Sequence, residues 1–206
     1  RFERLFKGSV KMEVRFYLTD GEVFRYKNDD IEFIRNMLKS LKPARIFSNR
    51  QIIINDGEAV SGFNTDTVEY VEFITDVDPG WHTHPGVARI VCIDKEEFDS
   101  KIKEGFTRLT DDSPKVEQGE VWRGVVNCVM ISGKRIYFEF ESVVSSKYDI
   151  NTLMQSFFDP VSFQGKLKDK GSIIINSKNI ARWVLLPAPP ETPEAFWEME
   201  HINQND

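Results

Sequence analysis

Two cysteines, Cys92 and Cys128, stand in a chain of 206 residues, too few for the disulfide framework of a small secreted domain. Both have apolar neighbours, Ile90-Val91-Cys92-Ile93 and Val125-Val126-Asn127-Cys128-Val129. That setting is the usual one for a buried thiol, and it raises a thiol pKa, which disfavours a cysteine nucleophile. No apolar run approaches the roughly 18 residues of a membrane span; even residues 68–74 hold Glu69 and Glu72. The first seven residues, Arg1-Phe2-Glu3-Arg4-Leu5-Phe6-Lys7, have none of the apolar stretch of a signal peptide; the cytoplasmic location expected here follows from the two cysteines in apolar settings without a disulfide framework. Glycine and proline number only 12 and 9, which excludes collagen-like and low-complexity chains. Nor is there an excess of cations: 27 basic against 33 acidic residues leave a net charge of -6. A backbone-driven grip on nucleic acid lacks its electrostatic footprint. Glycine-rich phosphate loops, GxGxxG, GxSxG and CxxC strings are absent, which disfavours nucleotide binding by the common routes.

What is present is the composition of a folded chain, 40% hydrophobic and 29% charged, long enough for one domain or two packed halves of about 100 residues. Residues 12–74 and 124–186 carry the same order of patterns. In the first, Val14, Phe16 and Leu18 alternate with polar or half-polar neighbours, turn at Asp20-Gly21, and return through Val23-Phe24-Arg25-Tyr26. In the second, Val126, Cys128 and Met130 turn at Ser132-Gly133 and return through residues 136–140. Alternation broken by a glycine that supplies positive φ predicts a β-hairpin. A period near 3.6 follows each hairpin: Ile34, Met37, Leu38 and Leu41, then Ile150, Leu153, Met154 and Phe157. Each set predicts an amphipathic helix, stopped by Pro43 and Pro160. Next comes one tetrapeptide twice, Ile52-Ile53-Ile54-Asn55 and Ile173-Ile174-Ile175-Asn176, and each copy closes on a further apolar segment.

The expected fold is therefore α+β, an internal duplication of a strand-strand-helix-strand-strand unit, with two pseudo-symmetric halves packed together. Residues 1–76 form the first unit, 77–123 a linker with a helix carrying Phe98, Ile102 and Phe106, and 124–187 the second unit. Residues 188–206 form a proline-rich strap and terminal helix. Each half also resembles small barrels of the Sm-like kind, apart from the interposed helix; that likeness carries no function.

The linker opens with Asp78-Pro79-Gly80-Trp81-His82-Thr83-His84-Pro85-Gly86, which holds two of the three histidines. In extended chain, residues i and i+2 share a face, so the imidazoles of His82 and His84 can reach one metal ion. Asp94, Asp78, Asp76 and Cys92 are the candidate third ligands. His82-Thr83-His84-Pro85, preceded by Gly80-Trp81, resembles the His-x-His-Pro core of the JAMM metallopeptidases. The resemblance implies a zinc isopeptidase with Asp94 as third ligand and an upstream glutamate, Glu22 or Glu58, as general base. Val91 stands where that family has serine, and the interval from His84 to Asp94 is one residue short of its spacing.

The same residues also read without metal: Trp81 and both imidazoles then cover a groove between the halves. With no complete catalytic set, the leading expectation is a non-enzymatic module for protein association in regulation or scaffolding, without cofactor. Its contacts are Phe196 and Trp197 on the strap, since aromatic anchors concentrate binding energy, and its partner is another protein or a second copy. A small ligand in the cleft between halves is compatible with this. A hydrolase using zinc on His82, His84 and Asp94 is the alternative.

Overall fold

The computed structural model describes residues 11–81, 87–105, 120–144 and 161–188. In chain order, β1 (Met12–Leu18) and β2 (Val23–Asn28) precede α1 (Ile31–Ser40) and a 3-10 turn at Pro43–Arg45. Strands β3 (Gln51–Asn55), β4 (Val60–Asn64) and β5 (Val68–Thr75) follow, then β6 (Val87–Ile93) and α2 (Lys95–Glu104). The last strands are β7 (Glu120–Met130), β8 (Arg135–Val144), β9 (Ser162–Lys166), β10 (Ser172–Asn176) and β11 (Ile180–Leu186). The structure is thus mixed α and β, mostly strand, with two helices among the described residues.

Local chemistry accounts for the elements the sequence marks most clearly. Gly21 and Gly133 take φ of 89° and 86° in the two hairpin turns, a region closed to most side chains. The turns shut through Leu18 N–H to Glu22 O at 3.0 Å and Met130 N–H to Lys134 O at 2.8 Å. Helix α1 begins where Asp30 Oδ1 accepts the N–H groups of Glu32 and Phe33 at 2.9 and 3.1 Å, satisfying two donors a helix start leaves orphaned. Its Ile34 and Leu38 are buried, as the 3.6 period requires. The helix expected from Ile150, Leu153, Met154 and Phe157, with Pro160 after it, lies outside the described residues.

Nine strands form one sheet in the order β11-β7-β8-β6-β9-β10-β5-β1-β2, and β3-β4 form a separate pair. Among the described residues every pairing is antiparallel except β6 with β9. This organisation differs from the expected unit in three respects. After α1 come three strands, because β4 was hidden: Gly62 interrupts its alternation and only Val60 and Phe63 are large and apolar. The segment expected as linker contributes β6, seated between β8 and β9 in the sheet. The repeated tetrapeptide occupies unlike places. Ile52 to Asn55 lie in β3, the first strand of an outlying hairpin with Ile53 64% exposed. Ile173 to Asn176 lie in β10, the second strand of a hairpin inside the main sheet, with all three isoleucines at 1% or less. Asn55 Oδ1 merely accepts Gly57 N–H in a turn at 2.9 Å. Asn176 Nδ2 instead donates to the carbonyls of Thr65 and Val68, at 2.8 and 2.9 Å, inside the molecule.

The sheet has two unlike faces. On one, α1 and β3-β4 cover Val14, Phe16, Val71, Phe73 and Ile174, while α2 covers Val125 and Ile93 through Phe98. The residues between these in register, such as Tyr70, Ile173, Ile175, Phe138 and Val126, form a single apolar cluster on the opposite face. Neighbouring strands lie about 4.8 Å apart, so the steps from β5 through β10, β9 and β6 to β8 span roughly 19 Å if flat. Yet Ser132, in the turn between β7 and β8, donates its N–H and Oγ–H to the two carboxylate oxygens of Glu69 on β5, at 2.6 and 2.7 Å. Lys134 Nζ lies over the ring of Tyr17, 4.5 Å from its centre. Such contacts require the sheet to coil round its apolar cluster. No helix among the described residues is long and apolar enough to cross a membrane.

Candidate functional site

His82 and His84 lie outside the described residues, as do Phe196 and Trp197. Trp81 is half-buried and locked to the C-terminal end of α1. Its Nε1–H donates to the Leu38 carbonyl at 2.9 Å, among the last carbonyls that a helix leaves without an internal partner. Its ring meets Phe73 edge-on at 5.4 Å and 84°. Both of these partners, Leu38 and Phe73, lie within residues 1–76, and the cluster Trp81 packs against also holds Ile174 of β10.

Asp94 is the N-cap of α2: Oδ1 accepts Glu97 N–H at 2.8 Å, and Oδ2 pairs with Lys168 Nζ at 3.2 Å. The Glu97 N–H first, and Lys168 second, hold its pKa below the usual carboxylate value. It stands beyond the far end of β6 from Val87, about 23 Å along an extended strand at 3.3 Å per residue. Glu22 and Glu58 stand on the β1-β2 and β3-β4 turns, their N–H groups bonded to Asp20 and Asp56. Among the described residues, no three His, Cys, Asp or Glu side chains come together in a metal-binding group. Cys92 is pushed up to about 11 by burial and then by the Glu72 charge, and burial pushes Cys128 up to about 12. Both thiols are therefore protonated near neutrality.

The structure brings together a different set. A groove of about 680 Å³ runs between α1 and the loop leading to Trp81. Lys11 from the start of β1, with Arg35 and Lys39 one turn apart on α1, gives it three cations, while Ile31, Val77 and Pro79 supply apolar wall. Its two carboxylates are otherwise engaged: Asp76 pairs with Lys170 Nζ at 3.3 Å, and Asp78 Oδ1 accepts Gly80 N–H at 3.0 Å. Past Lys39 the basic character continues into a shallower recess of about 400 Å³, lined by Lys42, Arg45, Gln51 and Ile53. Lys11, Arg35, Lys39, Lys42, Arg45 and Arg50 are all exposed, and none has an ion-pair partner among the described residues. The signal was present in the sequence: residues 33–55 hold five cations and no Asp or Glu. The net charge of the whole chain conceals it.

Several cations elsewhere on the sheet are matched by carboxylates, although Lys27, Arg135, Lys166 and Arg182 have no ion-pair partner among the described residues either. Glu13 Oε1 accepts from Arg15 Nε at 2.7 Å and Arg25 Nε at 2.5 Å, and these bonds, that from Arg25 first, lower its pKa to about 2. Tyr17 donates its hydroxyl to Glu72 at 2.7 Å and stacks on Tyr70 with ring centres 4.1 Å apart. Burial first and Glu72 second push the Tyr17 phenol up to about 12. Arg89 and Lys101 meet Glu139, and Arg123 meets Glu141.

The fold and the groove together define a coiled mixed sheet carrying a basic, partly apolar recess on an otherwise acidic chain. Comparison with protein-family models, curated proteins and solved structures finds no match to the chain.

Proposed function

We propose that the protein is a non-enzymatic module that acts by associating with a protein chain, either another protein or a second copy of itself. The observation that carries this reading is the basic surface of Lys11, Arg35, Lys39, Lys42 and Arg45, without ion pairs among the described residues, set beside exposed apolar side chains in a chain of net charge -6. Phe33 and Ile53, 51% and 64% exposed, lie on α1 and β3 within the same part of the fold. Isolated exposed apolar residues are ordinary; their combination with unpaired cations at two recesses suits a contact that is steered by charge and held by burial. Phe196 and Trp197 remain the proposed anchors on residues 188–206.

Internal duplication belongs to the same proposal. The pairing order β5-β1-β2 matches β11-β7-β8, which supports two related units, whereas the unlike places of the shared tetrapeptide count against a simple repeat. Association is tested by sedimentation velocity from about 1 μM to about 1 mM protein, at about 0.05 M and about 0.5 M salt. A mass that grows with concentration and falls with salt is expected for self-association. If the chain stays at 23.9 kDa throughout, the partner must be another protein.

A further inference from the structure

Resting on that association reading, we infer that the occupant of the α1 groove is residues 189–206 of a second copy of this chain. Residues 187–206 contain Glu191, Glu194, Glu198, Glu200 and Asp206 and no Lys or Arg. Among those carboxylates sit Phe196, Trp197 and Met199. The groove offers the complement: Lys11, Arg35 and Lys39 without partners among the described residues, between walls that include Ile31, Val77 and Pro79. Lys42 and Arg45 prolong the basic strip into the neighbouring recess. Five carboxylates against five cations is a match of charge gathered along one strip, whereas the arginines and lysines around Glu13, Glu72, Glu139 and Glu141 are already paired. The aromatic residues then leave water against the apolar wall, and the carboxylates fix register along the strip. Prolines at 187, 189, 190 and 193 limit the backbone freedom that a segment loses on binding, which reduces the ordering cost.

A fluorescent synthetic peptide of residues 187–206 is titrated into the full chain, into its Arg35→Glu/Lys39→Glu variant, and beside a peptide with Phe196→Ala and Trp197→Ala. Both substituted cations are exposed and unpaired, and circular dichroism confirms that the variant is folded. Saturable binding to the wild type is expected, weakened at least about tenfold by the charge reversal, by the aromatic deletions, and by about 0.5 M salt. Binding that ignores the charge reversal overturns the groove assignment. If the chain self-associates in sedimentation while the peptide fails to bind, the groove claim falls and the association reading stands. If neither occurs, the groove claim and self-association fall together, and only association with another protein is left. Capture of the chain by anionic vesicles without peptide binding would assign the basic strip to a lipid surface and overturn the proposal.

Discussion

Ser132→Ala tests the coiling of the sheet at its seam. Glu69 is fully buried, and both of its oxygens accept from Ser132, one from the backbone N–H at 2.6 Å and one from Oγ at 2.7 Å. Removing Oγ leaves one carboxylate oxygen without its donor in the interior. A hydrogen bond to a charged group contributes about 1.5–3 kcal/mol. Ser132 itself is on an exposed turn, where water can partly replace the lost donor, so the lower end, about 1.5 kcal/mol, applies. For a chain of this length that is about 3–6 °C in Tm. Glu69→Ala removes both acceptors, and the double variant then closes a cycle. Urea unfolding of the four proteins should give a coupling of about 1.5 kcal/mol between the two positions. Additive effects, with coupling below about 0.5 kcal/mol, would show that the turn does not grip β5 and would refute the seam.

Ile174→Ala should cost about 2–5 kcal/mol, while Ile53→Ala, at the middle position of the same tetrapeptide, should stay within about 0.5 kcal/mol, both read from urea midpoints. Trp81→Phe keeps the ring but loses the bond to Leu38 O, for about 1 kcal/mol by thermal unfolding. The Glu13 pKa falls from 4.5 to about 2 on folding. Its contribution is thus complete above pH 4.5 and is lost as pH drops toward 2; Glu13→Gln should flatten stability against pH in that window alone, by a small amount because its partner Arg25 is largely exposed to solvent. Both thiols should resist alkylation at pH 8 in the folded protein and react readily in denaturant, since folding pushes their pKa values to about 11 and 12. Protein purified without chelator should hold no stoichiometric metal and be unchanged by His82→Ala/His84→Ala; near-stoichiometric zinc that vanishes in the folded variant would instead establish a metal site.

Local codes were readable. Asp20-Gly21 and Ser132-Gly133 specified hairpins because the turn needs positive φ, and Ile34 with Leu38 specified α1 because a helix has only one way to bury that spacing. The role of Asp94 was equally legible: Asp followed three residues later by Glu97 is a helix-start signal. Strand partnership was not readable. Nothing in Ile173-Ile174-Ile175-Asn176 distinguishes it from Ile52-Ile53-Ile54-Asn55; their opposite burial comes from which strands flank them, a non-local property. The groove escaped for a related reason, because net charge averages over the chain whereas a ligand meets the local field of Arg35, Lys39 and Lys11.

The most direct test of self-association through the α1 groove is the mass of the full chain by light scattering, beside Arg35→Glu/Lys39→Glu, at about 0.1 mM protein and low salt. The account predicts a wild-type mass above 23.9 kDa and a folded variant at that value. Equal masses for the two proteins would contradict it.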